Sequence, residues 1–168
     1  MTADAVSHLF AAHHAPLLRY LTRLTGDHDR AADAAQEAFV RLIDRPPADA
    51  SEPRAWLFTV ATNVVREGGR TRARRERLLT GAPGRTPLGD APRDAHTLVE
   101  AGERRAAVRT ALAELSDKER TALLMREEGF AHREIAQALG TTTGSVGTLL
   151  ARALTKLAAA LPLDRDAL

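Results

Sequence analysis

A stretch rich in proline and glycine, residues 80–97, divides the chain and constrains its fold more than any other feature. Its sequence, TGAPGRTPLGDAPRDAHT, holds three prolines and three glycines and almost no periodic apolar residues. Such a composition is typical of a linker. On both sides of it apolar residues recur at helical spacing, and strand patterns are scarce. The sequence therefore predicts an all-α protein with two small helical domains, 1–78 and 104–168, joined by a flexible linker, 79–103.

Composition narrows the function classes. Aromatic residues make up 4% and hydrophobic residues 44% of the chain, so the core must consist of Leu, Val, Ile and Ala, which suits helices packed on helices. The absence of cysteine excludes disulfides, zinc–thiolate sites and thiol catalysis. Neither a leader peptide nor a membrane-spanning stretch is predicted, so we expect a cytoplasmic protein with no membrane insertion. The formal net charge of +2 is small, and the distribution of charge matters more than its sum.

Prolines and glycines set the predicted helix limits of the first domain. A first helix is expected to be interrupted at Pro16 and to end at Gly26, a second to span 30–44, and a third to begin near Pro53 and run into a basic tail. The second helix is expected to bury an apolar stripe of Ala35, Ala38, Phe39, Leu42 and Ile43. The third is expected to bury Leu57, Val60, Ala61, Val64 and Val65.

The second domain carries a helix–turn–helix pattern. Ser116 and Glu119 have the spacing of a capping box at the start of one helix. The segment 132–154, HREIAQALGTTTGSVGTLLARAL, predicts a helix, a turn at Gly140 and a second helix capped by Thr142 and ended by Pro162. This layout is typical of DNA-binding units, although two core helices of a bundle could share it. The predicted inner faces are Ile135, Ala136 and Leu139, then Val146, Leu150, Ala153 and Leu157.

No catalytic constellation is found. None of the six histidines has a second histidine four positions on, and there is no HExxH sequence. Nucleophile elbows and phosphate-binding glycine loops need a preceding strand, and no strand is predicted. The sequence therefore predicts a binding protein that is not an enzyme and takes no metal or cofactor.

Two further surfaces could bind a partner. On the 30–44 helix, Asp33, Glu37 and Arg41 lie four apart, which is either a docking face or a solvated face with i,i+4 pairs. Between 66 and 77, six arginines and two glutamates give a local charge of +4, an electrostatic footprint for nucleic acid. Upstream, Trp56 and Asn63 lie nearly two turns apart and share a face that could stack on an unpaired base, unless Trp56 is a core aromatic.

Four segments in chain order resemble the extracytoplasmic-function group of sigma-70-type sigma factors of bacterial RNA polymerase. LLRYLTRLTGD resembles the first conserved helix of their N-terminal domain, and DAAQEAFVRL resembles its polymerase-binding helix. PRAWLFTVATNVVR resembles the segment that engages the minus-ten promoter element. The residues from ALAELSDKER to LLARALTKL resemble the domain that binds the minus-thirty-five element.

The resemblance implies roles and partners, namely core RNA polymerase, promoter DNA and an anti-sigma factor. The polymerase clamp would be met by Asp33, Gln36, Glu37 and Arg41. The melted minus-ten strand would be met by Trp56, Asn63, Arg66, Arg70, Arg72, Arg74 and Arg75. The minus-thirty-five element would be met by Arg133, Thr142, Thr143, Ser145, Gly147, Thr148, Arg152 and Lys156. The polymerase, not the sigma factor, makes the bonds.

The sequence departs from the family pattern in three places. Gly68–Gly69 stands where a regular helix is usual and favours a bend or fraying of the basic tail. Ala131 stands where a capping Ser is common. In the recognition helix, Gly147 replaces a Lys and Leu149 an Arg, so weaker reading of the minus-thirty-five element is expected. Two rival interpretations stay open: a sigma-like interaction protein that no longer reads promoters, and a helix-turn-helix repressor, which leaves DAAQEAFVRL unexplained.

Overall fold

The computed structural model describes residues 2–47, 53–80 and 99–161. Within these ranges the chain forms seven α-helices and no strand, which confirms the all-α prediction. The helices are α1 Ala3–Thr25, α2 His28–Asp44, α3 Pro53–Thr80, α4 Val99–Ala113, α5 Asp117–Glu127, α6 His132–Leu139 and α7 Thr143–Ala160. They fall into two compact units, Met1–Asp90 and Ala91–Leu168. Residues 99–103, predicted as linker, belong to the start of α4, and residues 81–98 lie outside the described ranges.

The first unit packs α1, α2 and α3 against one another. Its core is mostly aliphatic, as the composition requires, with one aromatic pair at its centre. The rings of Tyr20 and Phe58 lie 5.1 Å apart, and both side chains are buried. The hydroxyls of Tyr20 and Thr62 form a 2.8 Å hydrogen bond, so the polar atoms that α1 and α3 bring into this core are paired.

Helix α1 passes through Pro16, so the predicted interruption is wrong. Proline removes one backbone donor, but the next residue, Leu17, and the following Leu21 are both fully buried against the other helices. This packing offsets the lost bond. The helix ends at Gly26, which takes the left-handed conformation (φ 68°) while its N–H donates to the carbonyl of Thr22.

Helix α2 buries four of its five predicted stripe residues, but Ile43 is 52% exposed. Ala31 and Ala34 complete the buried side of the helix, and Leu42 is its last buried residue. Ile43 follows Leu42 by about 100° around the helix and turns outward. The start of α2 is fixed by Asp27, whose carboxylate accepts the N–H groups of Asp29 and Arg30.

Helix α3 continues as α-helix through Gly68 and Gly69 to Thr80, so the predicted fraying is not observed. Of its five predicted core residues, Leu57 and Ala61 are fully buried, whereas Val60, Val64 and Val65 are only partly buried. Phe58 and Thr62, which the periodicity did not single out, complete the buried side.

The second unit packs α7 against α4, α5 and α6. The capping box is confirmed: the Ser116 hydroxyl accepts the N–H of Glu119, and the Glu119 carboxylate accepts the N–H of Ser116. Buried Arg120 donates to the carbonyls of Leu112 and Leu115, at 2.9 and 3.1 Å. These two bonds tie the start of α5 to the end of α4.

The helix–turn–helix prediction is confirmed in its local details. Gly140 ends α6 with a positive φ of 59°, and the Thr142 hydroxyl accepts the N–H of Ser145 at the start of α7. The α6 inner face is buried as predicted; on α7, Val146 and Ala153 are fully buried, and Leu150 and Leu157 are partly buried. Helix α7 ends at Ala160, and Pro162 lies outside the described residues. None of the described helices has both the length and the hydropathy needed to cross a bilayer.

Candidate functional site

The outward face of α2 combines acidic and apolar side chains. Asp33 and Gln36 are exposed, while Glu37 and Arg41 form a 2.7 Å ion pair along the helix. Because this pair neutralises itself, Asp33 supplies the net charge of the face formed by Asp33, Glu37 and Arg41. Val40, 43% exposed, lies on the same side as Gln36 and Asp33. Val40 was not predicted from the sequence, although its position four residues after Gln36 indicates a shared face.

An aromatic cluster borders this face. The exposed ring of Phe10 on α1 stacks on His14 at 4.3 Å and meets Phe39 of α2 at 5.0 Å. Ile43 follows Phe39 by one turn on the edge of α2. The charged face of α2 is therefore flanked by an apolar surface contributed by two helices, an arrangement typical of a protein-binding face with an apolar centre and a polar rim.

On α3, the outward face carries the tryptophan, the amide and part of the arginine segment. Trp56 is partly buried, whereas Phe58 is the α3 aromatic that fills the core. Trp56, Asn63 and Arg70 follow one another at intervals of seven residues, nearly two full turns, so they lie in one row. Arg74, one turn after Arg70, extends the row, and both arginines are exposed. The row places a ring, an amide and two guanidinium groups along one side of α3.

The arginines between 66 and 77, which were predicted from the sequence as one basic surface, lie on different sides of α3. Arg66 lies at the flank of the row, and Arg75 about a third of a turn from it. Arg72 follows Asn63 by nine residues, two and a half turns, and so lies on the opposite side of α3. There it lines a cleft with Arg30 of α2. The arginines of this segment therefore do not form one surface, because successive positions rotate around the helix.

In the helix–turn–helix, small residues dominate the outward side of α7. Thr142, Thr143 and Thr148 are exposed, Ser145 and Gly147 are partly exposed, and a Cβ added at Gly147 would meet nothing within 4 Å. Arg133 on α6 and Arg152 on α7 are exposed cations. The surface is open enough for close backbone approach by a ligand.

Lys156 is directed elsewhere. Its ammonium group lies 2.7 Å from the carboxylate of Glu119 on α5. Burial favours the neutral form of Glu119, but hydrogen bonds from Lys156 and Ser116 outweigh it and hold the pKa of Glu119 below its ordinary value. The lysine predicted to meet DNA is therefore an interhelical ion-pair partner.

Within the described ranges, no group of three His, Asp or Glu residues could hold a metal ion. The surfaces described above consist of hydrogen-bond donors, carboxylates and aromatic rings on the outside of helices. Such surfaces can bind and position a partner.

Comparisons with known proteins agree with this organisation. The family model for Sigma-70 region 2 matches residues 9–75, and the model for Sigma-70 region 4 matches residues 105–157. Among curated relatives, the ECF RNA polymerase sigma factor SigL of Mycobacterium tuberculosis is 34% identical over 147 residues, covering 84% of this chain and 80% of the relative. The ECF RNA polymerase sigma factor EcfG of Rhodopseudomonas palustris is 32% identical over 155 residues, covering 89% and 81%.

Two solved structures share the fold. One is the sigma factor RpoE in complex with the anti-sigma factor NepR from Bartonella quintana, with a TM-score of 0.77 and 24% identity over 98% of this chain and 100% of that one. The other is CnrH in complex with the cytosolic domain of CnrY, with a TM-score of 0.67 and 23% identity over 97% and 91%.

Proposed function

The chain belongs to the extracytoplasmic-function (ECF) group of RNA polymerase sigma factors, and from this premise we propose how its surfaces direct transcription initiation. It is an alternative sigma factor, so it binds core RNA polymerase and directs it to promoters. We assign polymerase and minus-ten binding to a domain of residues 1–78 and minus-thirty-five binding to residues 104–168, joined by 79–103. The protein acts in the cytoplasm, and the polymerase supplies all of the chemistry.

The observation that carries this proposal is the row on the outward face of α3. Its spacing matches what an opened strand needs: a ring on which a base can stack, an amide that can hydrogen-bond a base edge, and guanidinium groups about two and three turns further on for phosphates. Trp56, Asn63, Arg70 and Arg74 fill these roles in order, with Arg66 at the flank. Phe58 already fills the core position, which leaves Trp56 available to a base.

Polymerase binding is assigned to the outward face of α2. Asp33 and Gln36 supply polar contacts, Glu37 and Arg41 fix each other's orientation, and Val40 supplies apolar area. Asp33→Arg should weaken core binding because it reverses the unneutralised charge of this face. Glu103→Arg, an exposed reversal on α4, is the matched control. Equal affinity of both variants for core polymerase in a pull-down titration would refute the assignment.

Strand binding can be tested through salt dependence and base preference. Each phosphate contact on a single strand contributes about 0.7 to the salt slope, so Arg70→Gln should lower the slope by about that amount for all sequences. Arg19→Gln, exposed on α1, controls for the lost charge. Asn63→Ala should instead change the bases preferred at the minus-ten element. The assay is binding of the polymerase holoenzyme to a melted promoter fragment.

The minus-thirty-five element is assigned to the start of α7 and to the two exposed cations. Thr142, Thr143, Ser145 and Thr148 can donate to phosphates or base edges, Gly147 permits close approach, and Arg133 and Arg152 supply charge. Gly147→Lys, at a position with open space, should tighten binding and steepen its salt dependence. Leu149→Arg is a poorer test because Leu149 is partly buried. If neither the unmodified protein nor Gly147→Lys protected this element in the holoenzyme, the segment would be a protein-binding surface.

Promoter-dependent run-off transcription with core polymerase separates the proposal from its rivals. An interaction protein that has lost promoter reading would give no transcript, and a repressor would protect DNA without polymerase. We also infer an anti-sigma factor as a partner, since the similar RpoE fold was solved in complex with one. The exposed Phe10, Val40 and Ile43 offer such a partner apolar area.

A further inference from the structure

A cleft lies between α2 and α3 on the side of α3 that faces away from the Trp56 row. It is a cavity of about 360 Å³, within the size range of small-ligand sites. Its lining is Thr25, Arg30, Asp33, Ala34, Glu37, Val64, Val65, Gly68 and Arg72. The cleft is contained within the first unit, and neither polymerase binding nor strand binding explains its two arginines.

The two arginines repel each other across this cleft. Burial lowers the pKa of Arg30, the charge of Arg72 lowers it further, and the carboxylate of Asp27 offsets only part of this. Two of the neighbouring carboxylates are engaged elsewhere: Asp27 accepts two backbone N–H groups at the start of α2, and Glu37 pairs with Arg41 at 2.7 Å. The third, Asp33, lies at the rim of the cleft. Two like charges converging on a cavity are stabilised by an anion between them.

The other walls define what the anion must be attached to. Val64, Val65 and Ala34 give the cleft an apolar side. Gly68, which has no side chain, leaves open space beside them, since a Cβ there would meet nothing within 4 Å. The exposed carboxylate of Asp33 stands at the rim as an acceptor for N–H donors. A ligand that matches all three features has a phosphate, a flat apolar body and N–H groups on its far edge.

We propose that this cleft binds a mononucleotide, with its phosphate between Arg30 and Arg72, its base against Val64 and Val65, and the N–H groups of the base directed to Asp33. A guanine base presents adjacent N–H donors that can pair with both oxygens of a carboxylate. The site is separate from the strand-binding row, because Arg72 and Asn63 lie on opposite sides of α3.

The test is a titration of the full-length protein in which binding is measured by calorimetry and by NMR shifts of the amide signals of Thr25, Ala34 and Gly68. The probes are GMP, inorganic phosphate and guanosine. GMP should bind at least tenfold more tightly than either fragment, because only GMP meets both the arginines and the apolar wall. Arg72→Gln should weaken GMP binding about tenfold, the factor for losing one charge-assisted contact. Arg74→Gln, two residues on and outward-facing, should leave GMP binding unchanged.

Gly68→Leu provides a test that leaves both arginines in place. Its side chain would enter the open space of the cleft, so GMP binding should be lost while promoter-dependent transcription is retained. The proposal is overturned if GMP shows no saturable binding at millimolar concentration, or if Arg72→Gln and Gly68→Leu both bind it normally. It is also overturned if a single-stranded oligonucleotide, but not GMP, binds in an Arg72-dependent manner, because the cleft would then be a strand contact.

Discussion

Glu119 caps the start of α5 and joins α5 to α7, and replacing it separates these two contributions to stability. Its side chain is only 6% exposed, and its carboxylate accepts the N–H of Ser116 at 2.9 Å and faces the Lys156 ammonium at 2.7 Å. Glu119→Ala removes both interactions. Glu119→Gln keeps a side-chain acceptor for the capping box, since glutamine serves at that position, but removes the charge pair.

The expected magnitudes follow from these contacts. The cap contributes about 1 kcal/mol. Lys156 is 45% exposed, so solvent screening leaves the pair at about 1 kcal/mol. Glu119→Gln should therefore cost about 1 kcal/mol and Glu119→Ala about 2 kcal/mol. Because the folded-state pKa of Glu119 lies below its ordinary value of 4.5, the pair stabilises the fold above that pH and is lost as pH falls through the folded pKa.

The assay is hydrogen exchange of the full chain, because two units need not unfold together. Amides of α5 and α7 should lose protection in the order wild type, Glu119→Gln, Glu119→Ala, while amides of α1 to α3 serve as the internal control. The difference between wild type and Glu119→Gln should shrink as the pH is lowered below 4.5. Equal protection of α7 in all three proteins, or a difference that grows on acidification, would refute this account of Glu119.

Three further outcomes are expected. Gly68→Ala should stabilise the first unit by about 0.5–1 kcal/mol, because the added Cβ meets no atom within 4 Å and alanine favours helix. The measurement is amide exchange in α3, which should become slower; faster exchange would contradict this. Arg120→Met should destabilise the second unit by about 2–3 kcal/mol in the same assay, since it leaves the carbonyls of Leu112 and Leu115 without their charged donor. Burial, and then the charge of Arg54, lower the pKa of His13. The stability of the first unit should therefore decline as pH falls below 6.5. An NMR titration that places this pKa above 6.5 would be inconsistent with that packing.

The features that the sequence predicted well are those fixed by a few neighbouring residues. Gly26 and Gly140 end helices because each adopts a positive φ, which glycine tolerates without steric cost. Thr142 and Ser116 begin helices because each hydroxyl accepts the backbone N–H three residues on, and the Glu119 carboxylate accepts the N–H of Ser116 in return. These interactions are local, so the pattern of residues is enough to predict them.

The errors occurred where packing overrides a local preference. Pro16 would end an isolated helix, yet α1 continues because Leu17 and Leu21 are buried just beyond it. Ile43 is apolar, but it lies just past the residues that α2 buries. Gly68 and Gly69 lower helix propensity without breaking α3. In each case the partner helices decide, and a single segment does not contain that information.

Charges that different helices bring close together were the least predictable part of the candidate site. Glu119 and Lys156 form an ion pair although they are 37 residues apart, and Arg30 and Arg72 line one cleft although they are 42 apart, so neither spacing indicates proximity. The consequence for DNA binding is direct. Of the three cations that the sequence assigned to the minus-thirty-five element, Lys156 is held by a buried carboxylate, which leaves Arg133 and Arg152 for phosphates. Because each phosphate contact on duplex DNA adds about 0.9 to the salt slope, the contribution of this helix–turn–helix should be nearer to two contacts than to three.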